Sequence, residues 1–332
     1  MAMLFIGKTL KVMKALLSGL LAFLRLVRWP NLLVTALAMY LVRHAIIVPV
    51  YDNYGFHPAM GEFVFFLLIA STVLIAAAGY IINDYFDLRA DRINKPDKVV
   101  IGKVLHRRKA IILHSVLNVL ATMGGFYVAW ESGSLRLGFI FPMAAMLLWL
   151  YSVKYKRMVI WGNVSVAFLS ALVVILVWLF EFLTLRNQPD SFISLSGNMK
   201  FITMLVLAYA VFAFFISMIR ELMKDAEDIP GDEKAAYSTF PVVHGLAATR
   251  MLGSFLTLAT FILLLVAVWW LFSASLILTA VYLLVMVALP LVFIVIRINK
   301  ASSKQDFGQL SSLLKLLMLA GVLSVVSLGF VL

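Results

Sequence analysis

The chain contains no cysteine, which excludes disulfides and thiolate metal sites and leaves the redox compartment open. Charge is also scarce. Only 13% of the 332 residues are charged, against roughly 25% in a soluble globular domain. With 64% hydrophobic residues and a mean hydropathy of +1.03, the composition excludes a soluble fold and specifies an all-α integral membrane protein. The net charge of +12 would suggest nucleic acid in a soluble protein. Here it is better read as membrane topology, with membrane lipid and no nucleic acid among the expected partners.

A helix needs about 20 apolar residues to cross a bilayer. Stretches of that kind fall at roughly 30–50, 62–82, 108–130, 137–152, 160–184, 201–222, 247–272, 275–297 and 309–331. Nine spans put the termini on opposite sides, within a single domain expected to cover 1–332. The basic residues follow alternate connections, 24 on one side against Arg43, Arg136, Arg186 and Lys200 on the other. That bias predicts a cytoplasmic N-terminus and an inner (plasma) membrane location. Residues 1–24 carry Lys8, Lys11 and Lys14 among apolar residues without a small-residue cleavage site, the pattern of an interfacial amphipathic segment.

The acids are as unevenly placed. Ten of the 16 lie in two short windows, 84–97 and 221–233, both on the predicted cytoplasmic side. Asp84, Asp87 and Asp91 have the same i, i+3, i+7 spacing as Asp225, Asp228 and Asp232, which on a helix is one stripe on one face. Like charges so placed repel, and folding alone gives no reason for them. Mg²⁺ gives one, because it takes a few carboxylates, keeps waters and completes its shell with phosphate oxygens. Two facing stripes predict a diphosphate held between them, with Asp87 and Asp228 at the centre of each. The apolar helices suit a long hydrocarbon, so an isoprenyl diphosphate meets both features. Its ionisation needs charge neutralisation at the leaving group and exclusion of water from an allylic cation.

Asn83 with Asp84, Asp87 and Asp91 after span two, and Asp228 with Asp232 after span six, resemble the paired N-D-x-x-D-x-x-x-D and D-x-x-x-D motifs of the UbiA-type intramembrane prenyltransferases. The resemblance implies nine transmembrane helices around a central cavity, Mg²⁺ as cofactor, an isoprenyl diphosphate donor and a lipophilic acceptor. It also implies roles for smaller matches. Arg28-Trp29-Pro30-Asn31 is similar to the family's entry to helix one, where Arg28 and Asn31 would face the cavity. Tyr151-Ser152 with Lys156 resembles a Y-S-x-x-x-K segment beside the diphosphate, giving Tyr151 and Lys156 catalytic roles and Ser152 a binding role. Asn163, after Gly162, would meet the acceptor or bond between helices. Arg220 and Lys224 would neutralise pyrophosphate. His114 and Asn118, one turn apart, read as interhelical hydrogen bonds.

The run from Asp91 to Asp97, taken with Arg220 to Asp232, is most similar to the digeranylgeranylglyceryl phosphate synthase branch. That branch implies geranylgeranyl transfer to a glycerophosphate ether hydroxyl. The sequence departs from it at Lys98-Val99-Val100-Ile101-Gly102, where relatives have R-P-I-P-S-G. Aromatic quinone precursors (dihydroxynaphthoate or hydroxybenzoate) remain alternative acceptors. A terpene cyclase of the same fold and a divalent-cation transporter remain alternative functions.

Overall fold

The computed structural model describes residues 13 and 17–330. Lys8, Lys11 and Lys14, on which the interfacial reading rests, lie outside the described residues. Among the described residues nine helices are long and apolar enough to cross a membrane. They are α1 (Trp29–Asp52), α2 (Glu62–Phe86), α3 (Arg107–Glu131), α4 (Leu135–Arg157), α5 (Trp161–Leu185), α6 (Pro189–Lys234), α7 (Phe240–Ser273), α8 (Ile277–Lys300) and α9 (Lys304–Gly329). A short apolar helix, Leu17–Leu26, precedes them. The described residues contain no strand, and the protein is an integral membrane protein.

Most ends agree with the hydropathy reading, but α6 is much longer than the expected 201–222. Its polar extensions stay helical, so the second acidic stripe stands on a continuous helix, not on a loop. The first stripe is split. Backbone at Asp87 leaves helical geometry (φ −85°, ψ 0°), α2 ends at Phe86, and a new short helix runs from Leu88 to Asn94. Asp84 therefore closes one helix, and Asp91 lies on the next.

Two spans widen locally. Arg43–Ile47 in α1 and Leu284–Ala288 in α8 are π-helical turns, each shortly before a proline, Pro49 and Pro290. A proline lacks an N–H and crowds the carbonyl four residues back, and a wide turn relieves both. α7 breaks near its start, at Gly245.

The helices close on one another. α1 packs against α2, α5 and α9, while α6 packs against α5, α7 and α9. Lipid supplies no hydrophobic drive between helices, so polar contacts weigh heavily in such a bundle. His114 Nδ1 in α3 lies 2.9 Å from the Ala78 carbonyl in α2, the interhelical bond expected of it. At one end α1, α2, α6 and α9 surround a polar cavity. Deeper between α1, α5, α6 and α9 lies an apolar hollow, lined by Val42, Val174, Phe212, Met318 and Val325 among others.

Candidate active site

The polar cavity measures about 390 Å³. Among its lining residues are Arg28, Asn31, Asn83, Asp84, Asp87, Asp91, Lys156, Arg220, Lys224 and Asp228. Ten of the residues singled out from sequence thus meet at one place. They come from α1, α2, the Leu88–Asn94 helix, the end of α4 and α6.

Local geometry explains how they converge. Arg28 has left-handed backbone (φ 52°, ψ 51°) just before the proline-started α1. That region is uncommon for a residue other than glycine, and such strain clusters at functional sites. It turns the guanidinium over the Tyr80 ring, 4.8 Å from the centroid, and onto Asp84 at 2.9 Å. Asn31 Nδ2 donates to the same Tyr80 hydroxyl at 3.2 Å. At the end of α4 a tight turn, Tyr155–Arg157, swings Lys156 onto Asp87. A Cβ at Gly162 would come within 3.0 Å of Lys156 Cα, so glycine there lets this turn sit against α5.

Among the described residues five of the six stripe carboxylates have their own partner, Asp91 being the exception. Asp84 takes Arg28, Asp87 takes Lys156 and Asp228 takes Lys95 at 2.9 Å. Asp225 accepts from Asn163 at 2.8 Å, and Asp232 accepts from Thr239 at 3.4 Å. Arg220 and Lys224 both bond to Glu221, at 2.7 and 3.3 Å. Asp91 is half-buried, and burial followed by the neighbouring Asp87 charge pushes its carboxyl up to about 6.

The other expected residues lie off the cavity wall. Ser152 is buried, and its hydroxyl donates to the Leu148 carbonyl of its own helix at 2.9 Å, which uses its proton locally. Tyr151 lies in the same layer, close enough for Lys224, Glu221 and Lys156 to act on its phenol. Asn163, Asp225 and Asp232 do not line the cavity, and Asn163 and Asp232 are buried.

Several participants were given no individual role from the sequence. Asn94 spans the two acidic elements, donating to the Asp228 carbonyl at 2.9 Å and accepting from the Gly231 N–H at 3.0 Å. The buried Tyr237 ring lies under Lys156 and Arg157, at 6.0 and 5.2 Å. Arg25, Glu227, Ser311, Ser312 and Lys315 also line the wall. Asn94 and Lys95 carried a signal as members of the run from Asp91 to Asp97, and Glu227 as one of the clustered acids.

Among the described residues no three acidic or histidine side chains converge on one ready-made metal position. A fully protein-built cage is therefore absent from them, which departs from three carboxylates per ion. The chemistry nevertheless fits Mg²⁺, which binds through one or two carboxylates with waters and substrate phosphates. Buried oxygens without partners support the fit: Asp87 Oδ1, Asp228 Oδ1 and Asn83 Oδ1. Leaving such atoms unsatisfied is costly unless a ligand takes them.

The fold and site together define an intramembrane bundle whose cavity combines two carboxylate stripes with a set of cations. The sequence model of the UbiA prenyltransferase family matches residues 50–328, and the chain belongs to that family. It is 30% identical over 203 residues to digeranylgeranylglyceryl phosphate synthase of Methanothermobacter thermautotrophicus, covering 60% of this chain and 64% of that one. It is 30% identical over 231 residues to the synthase of Methanoculleus marisnigri, covering 69% and 70%. Several of these matches span only about three-fifths of the relative's length. Among solved structures, a UbiA homolog from Aeropyrum pernix aligns with a TM-score of 0.59 at 13% identity, over 86% of this chain and 96% of that one. A UbiA homolog from Archaeoglobus fulgidus bound to DMAPP and Mg²⁺ aligns with a TM-score of 0.54 at 17% identity, over 92% and 99%.

Proposed function

We propose that the protein is a Mg²⁺-dependent prenyltransferase. It moves an isoprenyl group, geranylgeranyl, from its diphosphate to the hydroxyl of a geranylgeranylglyceryl phosphate-like lipid. The observation that carries this reading is the convergence of Asp84, Asp87, Asp91 and Asp228 with Arg28, Lys156, Arg220 and Lys224 on one cavity above an apolar hollow. The relatives named above support the choice of acceptor. The basic-residue bias supports a cytoplasm-facing site in the plasma membrane.

Mg²⁺, held from Asp84, Asp87 and Asp91 on one side and Asp228 on the other, would supply charge stabilisation for the leaving pyrophosphate, with Asp225 and Asp232 supporting the second stripe from off the cavity wall. The chain's own groups do the rest. Lys156 and Arg28 stand beside the carboxylates and neutralise charge as the allylic C–O bond breaks and its electron pair leaves with pyrophosphate. Asn83 and Asn31 orient the head group. The apolar walls keep water from the allylic cation until the acceptor oxygen forms the new C–O bond and gives its proton to the departing pyrophosphate, while Tyr151 packs behind Lys156 and Lys224.

The test uses purified protein in lipid, labelled geranylgeranyl diphosphate and Mg²⁺, with each acceptor offered separately. Label in geranylgeranylglyceryl phosphate supports the proposal. Label only in dihydroxynaphthoate or hydroxybenzoate would keep the reaction and change the acceptor. Pyrophosphate release with a cyclised hydrocarbon and no labelled acceptor would replace transfer by cyclisation.

A further inference from the structure

The α9 wall of the cavity has no place in the chemistry above. Ser303 and Asp306 start this helix with a reciprocal capping box. Ser311 and Lys315 then face the polar cavity, while Met318, Val322 and Val325, continuing at steps of three and four, face the apolar hollow. One face of α9 therefore passes from cationic to apolar, and α6 does the same from Arg220 to Phe212.

Lys315 differs from most of the cations opposite, the exposed Arg25 being the other one outside any ion pair among the described residues. Arg28, Lys95, Lys156 and Lys224 each hold a carboxylate. Among the described residues no ion pair includes Lys315, although Arg220 and Arg28 are close enough to act on it electrostatically. Ionisable groups on membrane helices are expensive and ordinarily have partners. Beside it the hydroxyl of Ser311, on the cavity wall, makes no hydrogen bond among the described residues, and the buried Arg220 Nε is also without a partner. These donors with no acceptor lie on the same helix faces that line the apolar hollow further along, the wall an anionic amphiphile needs. A diphosphate donor has the carboxylate side and its metal. A phosphate monoester on the side away from the carboxylates can be met by protein cations directly.

We propose that Lys315 and Ser311, with Arg220 beside them, form a subsite for the phosphate head group of a lipid acceptor, whose hydrocarbon follows α9 into the hollow. The inference rests on the prenyl-transfer reading and narrows it, because it makes the phosphate a requirement of acceptor recognition.

Equilibrium binding to the full-length protein in lipid nanodiscs tests this without turnover. The probes are geranylgeranylglyceryl phosphate, its dephosphorylated alcohol, glycerol 1-phosphate, and geranylgeranyl diphosphate with Mg²⁺. A charge-assisted contact corresponds to roughly 10- to 100-fold in affinity, so the wild type should prefer the phosphorylated lipid over the alcohol by that factor. Lys315→Met should erase most of this preference and leave donor affinity unchanged. Lys315→Arg should retain it, and Ser311→Ala should lower it by less. Equal wild-type affinity for lipid phosphate and alcohol overturns the proposal. So does a Lys315→Met variant in which donor binding falls and acceptor binding does not. Glycerol 1-phosphate binding as tightly as the lipid would overturn the role of the hollow. Failure of prenyl transfer with the preference intact is a separate result, counting against the enzymatic reading alone.

Discussion

Asn94 holds the two acidic elements together with both atoms of one amide. Its Nδ2 donates to the Asp228 carbonyl at 2.9 Å, and its Oδ1 accepts from the Gly231 N–H at 3.0 Å. The first stripe is thereby set against the second at a fixed distance, which a shared ligand requires. A Cβ at Gly231 would run into the Asn94 side chain, so the clamp also depends on glycine there. Asn94→Ala should lose two hydrogen bonds worth about 0.5–1.5 kcal/mol each. The expected result is a folded protein that needs several-fold more Mg²⁺ for half-maximal turnover. A metal titration of turnover with the variant's Mg²⁺ requirement unchanged would remove the clamp from the mechanism.

Lys156 and Asp87 predict a second behaviour. Asp87 is 2% exposed and relies on Lys156 for its one paired oxygen. Removing one partner of a buried pair leaves an uncompensated charge, at a cost of roughly 3–5 kcal/mol. Lys156→Met should therefore melt well below the wild type in the absence of metal. Added Mg²⁺ should raise its melting temperature more than it raises that of the wild type, because the ion replaces the missing charge. Equal increments in both proteins would mean that Asp87 does not meet the metal.

Asp87→Ala and Asp228→Ala should each abolish prenyl transfer while the protein remains folded and inserted. Each removes a carboxylate with a free buried oxygen, and with it the charge demanded of Lys156 or Lys95. The readout is turnover beside a melting curve and a membrane-insertion assay. Undiminished activity in both variants would end the two-stripe model of the site.

What the sequence displayed and what it hid follow from the range of the physics involved. Spans were legible because a bilayer demands a contiguous apolar run, visible in any window. The tail of α6 was not, since 189–200 and 223–234 are polar and hydropathy does not register a helix continued by packing. The aspartates were legible as a spacing of three and four. That spacing survives a break at Asp87, so it did not distinguish one continuous helix from two. Partners were the least legible: Asn94 reaches Asp228 across 134 residues, and Lys95 reaches it across 133. Ser152 shows the converse, a motif residue whose hydroxyl is taken by its own helix.

The far end of the bundle carries a buried network that affects stability and not catalysis. Arg43, in the wide turn of α1, bonds to Glu181 of α5 at 3.4 Å and to Glu62 of α2 at 2.9 Å. Its guanidinium lies 4.5 Å from the centroid of the Phe65 ring. Glu181 in turn accepts from the Ala59 and Met60 N–H groups, fixing the α1–α2 connection. Both side chains of the Arg43–Glu181 pair are at most 2% exposed. Glu181→Ala should destabilise the protein by roughly 1–3 kcal/mol for each of the two backbone donors it strands, and it leaves Arg43 with only the exposed Glu62 carboxylate. Arg43→Met combined with Glu181→Leu should recover part of that loss, because a well-packed apolar pair avoids desolvating two ions. Thermal unfolding of the single and double variants in lipid would measure both effects. The Mg²⁺ requirement of the surviving activity should match the wild type in each, because the network lies at the opposite end from the carboxylates. A changed metal requirement in the double variant would show that this network does more than hold α1, α2 and α5 together.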